Sequence, residues 1–376
     1  MSVSTSLSPQ YLPDPGRPDR DREALRIFVL LPTTVVCGGV LSVVNLMNIL
    51  IDRGHQVTIG SLSQQGPDMV FPRTEPIFIR DPERMADIVR RPFDIVMATF
   101  WTTAEPIADF AEAIGATPVY FVQDYEPDFY ADGERRAAAR ATYDLISSRV
   151  VKTHHLQDRL LYEGGWASRR MRPGMSLDMF YPRRAFFERP RNVILGMARP
   201  DPPVDRRGLH VLIAVFEELH RRRPHLELKV FGSGEASLFS CPVDALGTME
   251  PSKLPELYST ATVFVETSRT HGFGRTGVEA MACATPCVLS DSGGVSEYAR
   301  HGENCLIVPV GDVQATAEAV LSLLDDEPRR EEFSNAGVDT VRHFSDHLAA
   351  TDLVDAFGAF VGDQQGGSDV HVSSAQ

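Results

Sequence analysis

The chain is poor in several things, and each shortage excludes something. Lysine is nearly missing: Lys152, Lys229 and Lys253 are its three lysines, so arginine carries the positive charge. Lys and Arg total 37 against 51 Asp and Glu, a net charge of −14, which argues against a basic nucleic-acid-binding face while leaving room for a local basic pocket. The 5 cysteines are odd in number and scattered, so no disulfide framework is expected and a reducing compartment fits. Cys283 and Cys287 are close but separated by Pro286, with no second Cys or His pair near them, so no metal site is expected. No apolar run is long enough to span a bilayer, since Val35 to Ile51 is broken by Asn45 and Asn48. The first residues show no apolar stretch behind basic ones and do not read as a secretory signal. A cytoplasmic protein is expected, with at most peripheral contact at the inner face of a membrane and no nucleic-acid partner.

What is present is an ordinary globular composition, 43% apolar and 23% charged, over 376 residues, which is more than one core usually serves. Residues 1–23 and the tail 362–376 are rich in small, polar and charged residues and are expected to be disordered. Asp19 and Asp21 resemble an acidic metal-binding pair but fall in that arm and are set aside. Between the two ends, short β-rich runs alternate with helix-length amphipathic segments, the pattern of parallel sheets covered by helices. Strands are expected at 26–31, 56–61, 93–99, 117–123 and 145–151. An irregular Pro-containing stretch, 172–191, follows, and strands resume at 192–197, 226–231, 243–246, 263–266 and 286–289. The boundary is placed at 185: one α/β unit over 24–185, a second over 186–345, and a helix over 346–361 that returns to the first unit. Pockets favour the space between such units, at the C-terminal ends of their strands.

The most informative run is Thr270-His271-Gly272-Phe273-Gly274-Arg275-Thr276-Gly277-Val278-Glu279-Ala280-Met281-Ala282, continuing to Thr285-Pro286-Cys287-Val288. A strand ends at Glu266, a glycine-rich turn follows, and a helix starts near Arg275 or Thr276. Gly272 and Gly274 let backbone approach a ligand, and the free N–H groups at the helix start suit a phosphate. Glu279, one turn into that helix, can accept two hydrogen bonds from a diol such as a ribose.

This run resembles the retaining glycosyltransferases of family 4, which share the GT-B fold. Their pattern is a Glu, Gly-Phe-Gly, a second Glu eight positions after the first in a Glu-Ala-Met-Ala run, then Thr-Pro-Val. The resemblance extends to Gly293-Gly294-Val295-Ser296-Glu297-Tyr298 and to His301-Gly302-Glu303-Asn304-Cys305-Leu306-Ile307-Val308-Pro309, where Cys305 replaces a glycine. It covers Leu246-Gly247 with Leu254-Pro255-Glu256-Leu257-Tyr258, and at the front Gly38-Gly39-Val40 with Arg53-Gly54-His55. It runs from about residue 26 to 345. His271 stands where the family has its first Glu, and Glu266, five residues earlier at the strand end, is not expected to replace it.

The resemblance implies an α/β protein of GT-B type, two Rossmann-like parallel-sheet domains facing across a cleft, with the acceptor held by the first and the donor by the second. It implies a glycosyltransferase taking a sugar from a nucleotide diphosphate to a saccharide or lipid-linked saccharide hydroxyl with retention, and neither cofactor nor metal. Arg199 and Arg207 map onto the family's diphosphate cations, with Arg206 as the alternate to Arg207; paired cations stabilise charge on a leaving diphosphate. Donor-binding positions are then Gly38, Gly39, Arg199, Arg207, Gly232, Gly272, Phe273, Gly274, Arg275, Thr276 and Glu279. Arg199, Arg207, His271 and Asp124 are the catalytic candidates, and Gln123, Asp124 and Glu126 the acceptor-side ones. The run Val122-Gln123-Asp124-Tyr125-Glu126-Pro127-Asp128-Phe129-Tyr130, with Gly174-Met175-Ser176-Leu177-Asp178, is similar to a rhamnosyltransferase branch using dTDP-L-rhamnose. A phosphorylase or epimerase on the same fold, and a non-catalytic sugar-nucleotide-binding subunit, are the alternatives.

Overall fold

The computed structural model describes residues 24–35, 37–63, 73–131, 133–200 and 204–368. The arm expected over 1–23, with Asp19 and Asp21, lies outside the described residues, as do 369–376.

The first unit has seven strands: β1 Arg26–Leu31, β2 Gln56–Ser61, β3 Ile77–Phe78, β4 Ile95–Ala98, β5 Thr117–Val122, β6 Arg149–Val151 and β7 Arg169–Arg170. They form one parallel sheet in the order β3-β2-β1-β4-β5-β6-β7. Helices α1 Gly38–Asp52, α2 Met85–Ile88, α3 Trp101–Ile114, α4 Glu134–Ala141 and α5 His154–Gly164 connect them. The second unit has β8 Val193–Met197, β9 Glu227–Phe231, β10 Asp244–Ala245, β11 Val263–Glu266, β12 Cys287–Ser290 and β13 Leu306–Val308, also parallel, in the order β10-β9-β8-β11-β12-β13. Its helices are α6 Leu209–Arg222, α7 Leu254–Ser259, α8 Arg275–Ala282, α9 Val313–Asp325 and α10 Glu327–Val341. These are two Rossmann-like parallel-sheet domains, the GT-B arrangement. The short edge strands β3 and β7 and the strand β13 were not expected from the sequence, because two or three residues carry too little periodicity to register.

The central strands are apolar along their length: Ile27 to Leu31 are all fully buried. Sheets covered on both faces require this. The continuous apolar character of α1 has the same cause. One side of it meets β1 and β2, and the other meets α11 Asp346–Ser368, which crosses back to the first unit through Ala349, Ala350, Leu353 and Phe357. Each such large side chain contributes about 1.5–3 kcal/mol on burial. Arg172 ties down α11 through Asp352 at 2.7 Å. Because α11 runs to Ser368, residues 362–368 are helical where a disordered tail was expected.

Strand order reverses between β1 and β4 and again between β8 and β11. Loops leaving such neighbours diverge and open a crevice at the strand ends. Here the two crevices face each other, and the loops that line them are in contact.

Candidate active site

In the second unit, β8 and β11 feed the two loops of its crevice. The loop after β8 carries Arg199, Arg206 and Arg207; the loop after β11 carries His271 to Gly274 and opens α8. Gly208, which starts α6, has φ +63, and a Cβ there would lie 1.9 Å from the Thr267 carbonyl oxygen. The two loops therefore pack backbone to backbone, and Arg207 is brought against His271: the guanidinium Nη1 lies 2.5 Å from His271 Nδ1. The other ring nitrogen, Nε2, is 2.7 Å from Glu266 Oε2. Glu266 also accepts from Thr276 Oγ1 at 2.8 Å and from the Ser268 N–H at 2.9 Å. Burial alone would raise its carboxyl; His271 and Ser268 outweigh that and hold it at about 2.

Glu266 thus meets the His271 ring itself, with both of its oxygens already accepting inside the loop. The loop after β11 folds back on itself, so residue 271 returns to the strand end that Glu266 occupies.

Glu279 lies on α8 as expected, buried at 5% exposure. It receives Arg275 Nε at 2.6 Å and Tyr258 Oη at 3.3 Å. Burial pushes its carboxyl up, and Arg275 opposes the shift. A carboxylate has about four lone-pair positions, so two remain, the number a diol needs. Arg275 also reaches Ser42 Oγ on α1 at 3.3 Å, which places it beside Gly38 and Gly39 at the start of that helix. Phe273 packs against Tyr298 and Phe344 and supports the turn from beneath. Gly232 follows β9 and bonds to the Gly247 carbonyl at 2.7 Å.

Arg199 is exposed, two residues beyond the end of β8. Arg206 is directed elsewhere: its guanidinium lies 3.7 Å from the Phe129 ring centroid and 3.6 Å from Asp124 Oδ2, both in the first unit. Of the two adjacent arginines, Arg207 faces the His271 loop and Arg206 clasps the opposite domain.

The acceptor-side candidates separate in the same way. Gln123 and Asp124 sit at the end of β5 in the cleft. A Cβ on Gly272 would fall 2.1 Å from the Gln123 carbonyl oxygen, so only glycine allows this approach of the two domains. Thr153 Oγ1 donates to the Gly272 carbonyl at 2.8 Å. Glu297 closes the rim, bonding the His154 N–H at 3.0 Å and Arg170 at 2.9 Å. Glu126 instead points into the core. It is 1% exposed and accepts from Tyr120 Oη at 2.5 Å, inside a stack of Tyr120, Tyr143 and Tyr125. Burial raises its carboxyl to about 8. It is a core group in this structure, not one that meets an acceptor.

One cleft residue had no place in the sequence reading. Lys152, after β6, is buried and donates to Gln123 Oε1 at 2.7 Å. Burial and the nearby Arg275 lower its ammonium to about 7. A lone lysine at a strand end in a lysine-poor chain was the signal available.

Two family models match parts of the chain. Residues 191–339 match the model "Glycosyl transferases group 1", and residues 74–151 match "WsaF, N-terminal domain". The first of these models covers most of the second unit and less than half of the chain. The chain is similar to the O-antigen biosynthesis protein RfbC of Myxococcus xanthus, 29% identical over 66% of this chain and 19% of that protein. It spans 39% and 52% of two other curated relatives, less than two thirds of each. Among solved structures it superposes on sucrose-phosphate synthase from Thermosynechococcus elongatus with a TM-score of 0.76 at 18% identity, over 90% of this chain and 100% of that one. Anabaena Alr3699/HepE in complex with UDP-glucose gives 0.74 at 17%, over 89% and 100%. At those identities the likeness concerns the GT-B fold. Among the described residues, no group of three or more His, Cys, Asp or Glu side chains could hold a metal ion. No described helix is long and apolar enough to cross a membrane.

Proposed function

We propose that this chain transfers a sugar from a nucleotide-diphosphate donor to a saccharide or lipid-linked saccharide hydroxyl, with retention of anomeric configuration. The observation that carries this reading is the convergence of Arg207, the start of α8 and Glu279 in one crevice. In the reading, the N–H groups at the start of α8 and the Arg207 guanidinium take the diphosphate, and Glu279 takes the nucleoside sugar, through both hydroxyls of a ribose or the single 3′-hydroxyl of a deoxyribose. Cation and helix end both act most strongly as the leaving phosphate gains charge. Gly38 and Gly39 offer a second helix start from the opposite domain, and Gln123 and Asp124 border the acceptor. Contact between the domains excludes the water that would hydrolyse the donor. The site is cytoplasmic in this reading, with at most peripheral contact with a membrane, and needs no metal or cofactor.

The donor we favour is dTDP-L-rhamnose. Support comes from the Val122–Tyr130 run. The UDP-glucose in the HepE complex is the competing choice. Initial rates of donor hydrolysis and transfer across dTDP-L-rhamnose, UDP-glucose and GDP-mannose test it. The expected preference for the rhamnosyl donor is at least ~10-fold, the scale of one methyl-sized contact. Faster turnover of a hexosyl donor removes the rhamnose assignment. Failure to bind or hydrolyse any sugar nucleotide removes the transferase reading itself.

A further inference from the structure

Arg207, His271 and Glu266 form a hydrogen-bonded chain, half-buried at Arg207 and buried at the other two, with one consistent assignment of protons. A guanidinium only donates, so His271 Nδ1, 2.5 Å from Arg207 Nη1, must present a lone pair. The ring proton of a neutral imidazole then sits on Nε2 and is donated to Glu266 Oε2 at 2.7 Å. Glu266 is suited to receive it. Its side chain is 2% exposed, and both oxygens already accept, Oε1 from the Ser268 N–H and Oε2 from Thr276 Oγ1. The charged groups meeting the His271 ring are Arg207 from the loop before α6 and Glu266 from the end of β11. The opposite tautomer would set N–H against N–H at Arg207 and leave Glu266 facing a lone pair.

We propose that Glu266 and His271 are a positioning pair for Arg207: Glu266 fixes the Nε2–H tautomer, and the exposed Nδ1 lone pair holds the guanidinium in the donor crevice. The role assigned to Arg207 rests on the transferase reading, while the tautomer and its dependence on Glu266 do not. The pair gives His271 work that differs from sugar contact, since it acts through a second residue. It also accounts for a carboxylate buried five positions before the histidine.

Two measurements test this. The first is the 15N spectrum of His271 in the intact wild-type protein. Nδ1 should be unprotonated and Nε2 protonated, and Glu266→Gln should weaken that preference, because an amide cannot accept at both of its ends. The reverse tautomer, or an imidazolium at neutral pH, overturns the proposal whether or not the protein proves to be a transferase. The second compares His271→Gln with His271→Asn. The Gln amide can donate to Glu266 in place of Nε2 but puts no acceptor where Nδ1 was; the Asn carbonyl restores that acceptor and loses the Glu266 bond. His271→Asn should therefore exceed His271→Gln in kcat by about tenfold or more, the scale of losing one aligned donor at a charged centre. Donor KM should differ between them by less than about threefold. Equal kcat in the two variants with matched melting temperatures, or a difference confined to KM, contradicts it. Should His271→Gln fail to fold, His271→Ala takes its place as the variant without an acceptor.

Discussion

Glu279 and Arg275 give the sharpest quantitative test of the site, because the pair joins the expected ribose contact to the stability of the domain. Removing the carboxylate in Glu279→Ala leaves the Arg275 guanidinium with Ser42 Oγ at 3.3 Å as its remaining hydrogen-bond partner. Asp346, the other carboxylate acting on Arg275, is already bonded to Ser176 Oγ at 2.6 Å and to Asn45 at 3.3 Å. Arginine cannot shed its proton, so an orphaned buried guanidinium costs the full penalty, about 3–5 kcal/mol for a broken buried pair. The Arg275 side chain keeps 20% exposure, which favours the lower end of that range. Arg275→Met orphans the carboxylate instead, and a carboxylate can take up a proton. Burial already raises Glu279, so this variant should lose only about 1–2 kcal/mol. In the double variant neither charge remains, and the loss should fall short of the sum of the singles by about 1–3 kcal/mol. Urea unfolding of the four proteins at pH 7 measures all of these. Additive losses, or a larger loss for Arg275→Met than for Glu279→Ala, would refute the reasoning. Nucleotide affinity of Glu279→Ala, measured well below its melting temperature, should still fall by tens of fold or more, for a hydrogen-bonded charge of about 2–3 kcal/mol.

Other consequences follow from single contacts. Glu126 binds a proton in the folded state up to about pH 8 and loses it near 4.5 when unfolded, so the native chain loses stability as pH rises between those values. Glu126→Gln should therefore be more stable than wild type at pH 9, by about 5 kcal/mol at most, and equal to it at pH 4; parallel thermal melts at both pH values check this. Gly208→Ala should unfold at least about 2 kcal/mol more readily in urea, since its Cβ would meet the Thr267 carbonyl oxygen at 1.9 Å in a left-handed conformation. Arg207→Ala should depress kcat more than donor KM, whereas Arg206→Ala, which loses Phe129 and Asp124, should show its larger effect on domain closure, read by small-angle scattering with and without nucleotide.

The elements near the site were legible in the sequence because their signals are strong and local. The strand ending at Glu266, the turn through Gly272 and Gly274 and the start of α8 follow from apolar runs, glycines and a helix period within about twenty residues. What stayed hidden depends on contacts distant in the chain, or on which way one side chain turns. Gln123 and Glu126 are three residues apart after the same strand, yet one faces the cleft and the other the tyrosine stack; a short irregular turn has no periodicity to separate them. Arg206 and Arg207 are neighbours directed to different domains, a choice fixed by Phe129 and Asp124 more than seventy positions earlier. The contact of Glu266 with His271 was hidden because the loop between them folds back, which their spacing does not reveal. The packing of α11 on α1 explains why α1 is apolar on both sides.

The most direct test of the central claim is a crystal structure of this protein with dTDP bound. The 3′-hydroxyl of dTDP should lie within hydrogen-bond distance of Glu279, joined by the 2′-hydroxyl in a UDP control, with both diphosphates against the first N–H groups of α8 and the Arg207 guanidinium. A nucleotide seated elsewhere, or one in the crevice with its phosphates away from Arg207 and α8, would contradict it.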